Sequence, residues 1–180
     1  SGEEVRARLP LMRFEDAIAG TWNPKDGLAD PNSVVAGYVS AAQKLGAEAL
    51  TRAEVTGIRL SGDQIEAVET TQGVIQTRTV LNTAGPWAGL IGQMAGVEIP
   101  IVPIRRQMFT TDPLKEVPED FPFVIDFAQS LYFHREGEGL LIGMSNQAEK
   151  PGFDQNVDEE FEMVNFEAAM ERMPLLERAS

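Results

Sequence analysis

The pattern of apolar and polar positions predicts one clear helix in the first quarter of the chain. Apolar residues fall on one face at helical spacing at Val34, Val35, Tyr38, Ala42 and Leu45. Asp30 is a good N-cap, Pro31 suits the first helical position, and Gly46 suits the C-terminal cap. We therefore expect a helix that packs one side on the rest of the protein. Residues 1–26 carry no comparable pattern and are predicted to be irregular.

Residues 47–84 alternate between short apolar runs and turn residues. The runs AEAL, EVTGIRL, QIEAVETT and VIQT are separated in hairpin style by Ser61-Gly62-Asp63 and Gln72-Gly73. They predict a small antiparallel meander. The next run, TVLNTA, is more apolar and lacks alternation, which favours a buried strand. A short helix is predicted after it, from Gly85 to Gly96.

The second half reads as strands followed by a helix. EIPIVPIRRQMFTT predicts a long strand interrupted by prolines, and DPLKEVPEDFP predicts a loop. FVIDF, SLYFHR and GLLIGMS are further strand-like runs, with a hairpin turn over residues 136–139. Their short connections favour one mixed sheet. A final acidic helix is expected from about Asp158 to Met173, where Pro174 stops it.

Within SLYFHR the side chains alternate between the two faces of the strand. Leu131 and Phe133 are apolar and should meet the final helix. Tyr132 and His134 have polar groups and should line the more open side. The order of elements predicts an α+β fold in two parts that join near Gly96, namely residues 1–96 and 97–180.

Composition narrows the classes of function. The formal net charge is −13, which disfavours nucleic acid and anionic membranes as partners. Cysteine is absent, so disulfides, thiol catalysis and cysteine-bound metals are excluded. A Ser-His-Asp hydrolase is disfavoured, because the one histidine, His134, lies in a strand-like run and the chain has no G-x-S-x-G elbow. No apolar run approaches the ~20 residues of a membrane span, and no signal peptide is recognisable. We expect a soluble protein in the cytoplasm.

The most informative string for chemistry is TVLNTAGPWAGLIGQMAG. Gly85 would let the backbone approach a flat ligand closely, because it has no Cβ. The helix N-terminus after it would offer free N–H groups to acceptor atoms. An ordinary strand-to-helix turn punctuated by Gly and Pro explains the same residues, and the residues alone leave both interpretations open.

An ordered set of segments resembles the D-amino-acid oxidase-like superfamily of FAD-dependent enzymes over nearly the whole chain. The segments are DGLADPNSVVAGYVSAAQKLGAE, NTAGPWAGLIGQMAG, IPIVPIRRQMFTTDPL, SLYFHREGEGLLIGMS and PGFDQNVDEEFEMVNFEAAMERMPLLE. The groups that the chain most resembles are sarcosine oxidase beta subunits, glycine oxidase, dimethylglycine dehydrogenase and proline dehydrogenase beta subunits. The resemblance implies a flavin-dependent oxidase or dehydrogenase of an amino acid such as sarcosine, dimethylglycine, glycine or proline, with hydride transfer to FAD.

The resemblance also implies roles for particular residues. The backbone of Val55 would contact the adenine portion of FAD, and Ala84, Gly85 and Trp87 would lie in the turn against the cofactor. A substrate carboxylate would be held by a tyrosine and an arginine, for which Tyr132 and Arg105 are the candidates. The two adjacent arginines would point to opposite faces of a strand, so Arg106 is expected at the surface.

One expected motif is missing. The family begins with a strand and G-x-G-x-x-G, which holds the pyrophosphate of FAD, and no such spacing occurs in the 180 residues. We therefore expect an internal fragment, with residues 1–96 as a partial FAD-binding domain and residues 97–180 as a partial substrate-binding domain. FAD would belong to the parent protein and be absent from this chain. The alternative is a non-catalytic substrate-domain or subunit-contact module that is inert as the isolated chain. Besides an amino-acid substrate, other subunits of a hetero-oligomeric enzyme are candidate partners.

Two further candidate sites have simpler explanations. His134 could act as a general base by its ordinary pKa, although a strand residue with a satisfied hydrogen bond is the simpler interpretation. Asp154, Asn156 and Asp158 begin like a calcium-binding loop. The sixth position of that loop is Glu159 rather than Gly and the twelfth is Asn165 rather than Glu, so no metal site is predicted.

Overall fold

A computed structural model of the protein describes residues 1–178. These residues divide into two units. The first, here called the core unit, comprises residues 1–28, 105–149 and those from 154 onward; the second, the meander unit, comprises residues 29–104 and 150–153. This division differs from a single boundary near Gly96, because residues 1–28 cluster with the second half of the chain. The assignment of the two parts to cofactor and substrate binding stays a prediction.

The elements follow one another in the order of an α+β protein, which confirms the predicted fold class. The helices are α1 (Gly2–Arg8), α2 (Pro31–Lys44), α3 (Ala88–Met94) and α4 (Glu159–Arg172). The strands are β1 (Val55–Ser61), β2 (Gln64–Thr70), β3 (Gly73–Gln76), β4 (Gln107–Thr110), β5 (Val124–Asp126), β6 (Leu131–Glu136) and β7 (Gly139–Met144). Short 3-10 helices span Gly85–Trp87 and Pro174–Arg178.

Helix α1 contradicts the prediction that residues 1–26 are irregular. The Ser1 hydroxyl accepts a hydrogen bond from the Glu4 backbone N–H, and the Glu4 side chain reaches back to the backbone of Ser1. This reciprocal arrangement is a capping box, and it satisfies two N–H groups that the first helical turn leaves free. The local signal was present in the sequence as S-x-x-E, and the short length of the helix concealed it.

Helix α2 begins as predicted but does not pack as predicted. Asp30 is the N-cap, and its carboxylate accepts a hydrogen bond from the Ser33 N–H at 2.6 Å. No residue of α2 is buried, and Tyr38 is 76% exposed. The expectation of a packed face is therefore wrong within residues 1–178. The cap and the apolar spacing are local properties, whereas packing needs a second surface.

The meander unit contains the predicted antiparallel sheet, in the order β1-β2-β3. The runs AEAL and TVLNTA form no strand, and Leu81 in the second run is 85% exposed. The prediction of a buried strand there is wrong for the described chain. A strand is stabilised by its neighbours in a sheet, and no described strand pairs with this segment.

The core unit contains the second sheet, in the order β4-β7-β6-β5. All of its described pairs are antiparallel, so the sheet is not mixed as expected. The predicted long strand over residues 98–111 shortens to β4, because Pro100 and Pro103 have no N–H to donate to a neighbouring strand. Helix α4 has Asp158 as its N-cap and ends immediately before Met173, as predicted.

One face of this sheet packs on α4 to form the main hydrophobic core. Side chains from both elements are fully buried there: Leu131, Phe133, Leu140, Ile142, Ala169 and Met173. The N-terminal segment contributes Leu9, Met12 and Phe14 to the same core. Burial of Leu131 and Phe133 confirms the predicted alternation in β6.

An arginine ties the N-terminal segment to this core. Nε of Arg172 donates to Oδ2 of Asp126 at 2.7 Å, and its two terminal nitrogens donate to the carboxylate of Asp16 at 2.6 and 2.7 Å. Its guanidinium also lies 5.0 Å from the centre of the Phe14 ring. Hydrogen bonds to Asp16 and then to Asp126 raise the pKa of Arg172, and the pKa of Asp16 is lowered by the same contact. This cluster holds residues 13–16 against α4 and β5.

Candidate functional site

The face of the core sheet opposite α4 is the more open one. Tyr132 and His134 lie on it, half-buried, as the alternation in β6 predicted. The strand register places Met108, Gly143, Tyr132 and Ile125 in one row across the four strands. Met108 and Ile125 are 56% and 46% exposed. Tyr132 therefore carries the polar group of a row that is otherwise apolar.

Phe123 completes an aromatic cluster on this open face. Its ring meets Tyr132 edge-on at 5.9 Å between centroids, and it meets His134 edge-on at 5.5 Å. Edge-on contacts of this length are favourable for aromatic pairs. Phe123 is itself 49% exposed, so the cluster has an accessible side. Phe123 begins the predicted run FVIDF, but sequence reasoning missed it as a site residue because only strand pairing brings it to Tyr132.

The chemistry of the two polar groups differs. Burial raises the pKa of the Tyr132 phenol above its usual value, so the hydroxyl keeps its proton at neutral pH and can donate or accept a hydrogen bond. Nδ1 of His134 lies 2.9 Å from the carbonyl oxygen of Arg135. Because a carbonyl can only accept, Nδ1–H is the donor in that contact. This placement fits the simpler interpretation of His134 as a strand residue with a satisfied hydrogen bond.

Arg105, the second predicted substrate residue, is surrounded by acidic groups of its own unit. Its Nε and Nη2 donate to the two carboxylate oxygens of Glu149 at 3.2 Å each. Asp154 and Asp158 lie 3.3 and 3.6 Å from its terminal nitrogens. The side chains of Arg105 and Glu149 are only 15% and 10% exposed. Arg106 is exposed, as expected.

These contacts explain the residues that resemble a calcium loop. Asp154 and Asp158 point to a guanidinium, and the backbone carbonyl of Asn156 also accepts from Arg105. Within residues 1–178 no group of three or more acidic or histidine side chains is arranged to hold a metal ion. The acidic residues of this loop therefore serve to close it on Arg105.

The predicted cofactor turn lies in the meander unit. Gly85 has a φ of +53°, and beyond its two chain neighbours no heavy atom lies within 4 Å of where a Cβ would stand. Another side chain would be strained there by the positive φ and would fill space that is open in this structure. Ala84 is half-buried and Trp87 is 47% exposed. The Trp87 ring stacks on Phe153 with 6.1 Å between centroids and 17° between planes.

Asn82 holds this turn in shape. Its Nδ2 donates to the carbonyl of Ala88 at 2.9 Å, and its Oδ1 accepts from the N–H of Ala84 at 3.2 Å. The Asn-x-Ala-Gly-Pro spacing is the signal that could have identified it, since asparagine side chains commonly satisfy the backbone two residues on. Helix α3 packs against β1, whose first residue is the half-buried Val55.

The predicted residues thus separate between the units. Val55, Ala84, Gly85 and Trp87 lie in the meander unit, and Tyr132 and Arg105 lie in the core unit. Phe123, Asn82 and Gly143 are additional residues that the geometry brings to these two places. No helix within residues 1–178 is long and apolar enough to cross a bilayer.

Comparison with known proteins gives matches along the whole chain. A family model described as "FAD dependent oxidoreductase" matches residues 1–180. Mitochondrial dimethylglycine dehydrogenase of Homo sapiens is 32% identical, over 98% of this chain and 23% of the relative. Mitochondrial sarcosine dehydrogenase of Mus musculus is 32% identical, over 99% of this chain and 21% of the relative. The chain spans less than a quarter of the length of these two proteins.

A solved structure agrees with these matches. L-proline dehydrogenase from P. horikoshii superposes with a TM-score of 0.88 at 32% sequence identity. The match covers 99% of this chain and 48% of that chain. The described fold is therefore also found within a larger polypeptide.

Proposed function

The chain belongs to the family of FAD-dependent oxidoreductases, and from this premise we propose that the complete protein oxidises the amine of an amino acid. The candidate substrates are sarcosine, dimethylglycine, glycine and proline. Relatives with 32% identity are named as dehydrogenases of three of these. FAD, when bound, supplies the acceptor for the hydride that leaves the substrate carbon.

The observation that carries this proposal is the polar hydroxyl of Tyr132 on an apolar, accessible sheet face. Met108, Ile125 and Phe123 offer apolar contact area there. The protonated phenol would donate a hydrogen bond to the substrate carboxylate and so orient the amino acid. The resemblance to enzymes that hold this carboxylate with a tyrosine supports the same role.

The cofactor would lie on the meander unit. Gly85, with open space above its backbone, would take the flat ligand at closest approach, flanked by Ala84 and the exposed Trp87. The backbone of Val55 would contact the adenine portion. Strand β1 is at the edge of its sheet, so half of its backbone groups point away from β2, which supports that contact.

Arg105 is the weaker of the two candidates for the substrate carboxylate. A substrate could reach the guanidinium only by displacing Glu149, which already binds it through both oxygens. The contacts with Glu149, Asp154 and Asp158 support a role in closing the loop between β7 and α4. We propose that Tyr132 contributes more to substrate binding than Arg105 does.

Anaerobic reduction of the flavin tests the activity. The complete protein, reconstituted with FAD, is mixed with each of the four amino acids, and the flavin absorbance band is followed. We expect at least one of them to bleach the band. A yellow protein that none of them bleaches would contradict the oxidation of these four amino acids, and a protein that stays colourless would favour the non-catalytic substrate-domain or subunit-contact module.

Two variants of the complete protein locate the sites. Tyr132→Phe should raise KM about tenfold with a smaller change in kcat, because one hydrogen bond to a charged group is lost. Gly85→Val should reduce the flavin content of the purified protein while the meander stays folded. Gly62→Val is the matched control, since Gly62 lies in the same unit, has a φ of +61° and would also place a Cβ in open space. Full flavin occupancy in Gly85→Val would contradict the assignment of the turn.

A further inference from the structure

Tyr132 lies across a glycine of the neighbouring strand. Tyr132 and Gly143 are direct partners in the antiparallel pair of β6 and β7. A Cβ at Gly143 would stand 2.7 Å from Cε1 of the Tyr132 ring and closer still to Cζ and Oη. Real side chains do not approach so closely, so the tyrosine ring occupies the space that a side chain at position 143 would need.

The backbone of Gly143 does not itself require glycine. Its φ is not among the positive values found at other glycines, such as Gly85 and Gly137. Alanine could therefore adopt the same strand conformation without backbone strain. The feature that excludes alanine is the ring of Tyr132. A substitution at position 143 therefore tests where the ring lies and not the conformation of the strand.

The ring is confined on a second side by Phe123, whose edge-on contact lies 5.9 Å away. Gly143 leaves room for the ring on the neighbouring strand, and Phe123 bounds the ring on another side. The place of the ring fixes the place of the hydroxyl, because the phenol is rigid beyond its two side-chain torsions. In a site of this kind a small displacement of the polar group is costly for binding.

We propose that Gly143 is a positioning residue, which sets the Tyr132 hydroxyl where it meets the substrate carboxylate. This role rests on the proposed function for its catalytic consequence, although the placement of the ring can be measured independently. A side chain at position 143 would turn the ring away from the sheet and move the hydroxyl with it.

Fluorine NMR tests the placement without using activity. The chain has two tyrosines, Tyr38 and Tyr132, so 3-fluorotyrosine labelling gives two resonances, and Tyr132→Phe assigns them. Gly143→Ala should shift the Tyr132 resonance and leave that of Tyr38 in place. Gly152→Ala should leave both in place, since Gly152 is exposed and a Cβ there would meet nothing within 4 Å. A folded Gly143→Ala protein with both resonances unmoved would overturn the proposal.

A double-mutant cycle keeps the proposal testable if Gly143→Ala folds poorly. Gly143→Ala should lower the free energy of unfolding in the wild-type background and cost much less when Tyr132→Ala has removed the ring. Equal costs in the two backgrounds would show that the ring is not what the alanine meets, and would overturn the proposal.

Kinetics of the complete enzyme then separate this proposal from the function on which it rests. Gly143→Ala should raise KM about tenfold, as Tyr132→Phe does, with kcat changed by less than about threefold. If the Tyr132 resonance moves but neither variant raises KM, Gly143 still positions the ring, and the substrate-binding role of Tyr132 is the part that fails.

Discussion

The two units stabilise themselves in different ways. In the core unit a four-stranded sheet packs on α4 and buries a continuous cluster that includes Phe133, Ile142 and Met173. In the meander unit, among residues 1–178, the only buried hydrophobic side chains are Ala67 and Ala88. The meander unit is therefore held by hairpin hydrogen bonds and short local contacts more than by a packed interior.

The difference lies in how apolar residues are used and not in how many there are. The meander unit leaves several large apolar side chains mostly in water: Val35, Tyr38, Leu45, Leu50, Leu81 and Val102. Exposed apolar groups in such number are typical of surfaces that contact something else. Tyr132 lies on a strand whose other face, with Leu131 and Phe133, is anchored in a packed interior, whereas the open Gly85 turn lies in a unit without one.

Binding of FAD to the isolated chain would contradict this contrast between the two units most clearly. We expect the 180-residue polypeptide not to retain FAD, because it contains no G-x-G-x-x-G to hold the pyrophosphate and the meander unit has little packed structure behind the Gly85 turn. Titration calorimetry with FAD measures this. Submicromolar binding would show that the meander unit forms a cofactor site without that motif.

Core truncation should separate the units by stability. Phe133→Ala removes a fully buried ring and should lower the free energy of unfolding of the core unit by about 3–5 kcal/mol. Leu81→Ala is the matched change in the meander unit, where the side chain is 85% exposed, and should cost less than about 0.5 kcal/mol. Urea unfolding followed by circular dichroism measures both. Similar costs for the two variants would contradict the comparison.

Loss of the arginine that ties the N-terminal segment should have a smaller effect. Arg172→Leu leaves the buried carboxylate of Asp126 without its charged donor and should cost about 2–3 kcal/mol. Arg178→Leu removes an exposed arginine six positions further along the chain and should be close to neutral. Protease digestion under native conditions provides a second measurement, since residues 1–28 should become more accessible to cleavage only in Arg172→Leu.

The smallest effect concerns acid stability. The hydrogen bond between Asp16 and Arg172 lowers the pKa of Asp16 below the ordinary 3.8. The folded state therefore binds a proton at Asp16 less readily than the unfolded state does. The contribution of this contact to the free energy of unfolding is present above pH 3.8 and is lost as the pH falls through the lower, folded-state pKa. Asp16→Asn should remove this part of the pH dependence, measured as the unfolding midpoint between pH 6 and pH 2. An unchanged pH profile in Asp16→Asn would show that the contact does not persist in solution.

Local signals in the sequence were sufficient for much of the fold. The Asp30 cap, the hairpins of the meander and the alternation in β6 were all predicted correctly, because each depends on residues close together in the chain. The capping box at Ser1 was equally local and was overlooked. Tyr132 could be placed on the open face for the same reason, since a strand that buries Leu131 and Phe133 must direct Tyr132 to the other side.

The sequence by itself therefore determined where most elements begin and end and which side of β6 is polar. Only the tertiary structure decided what those elements meet. Arg105 is bound by Glu149, a residue 44 positions further along the chain, and Gly143 lies beside Tyr132 because of the register of two strands. TVLNTA has the apolar composition of a buried strand, yet it pairs with no strand of the described chain. Partners distant in sequence are selected by packing of the whole chain, and composition and spacing carry no direct record of that choice.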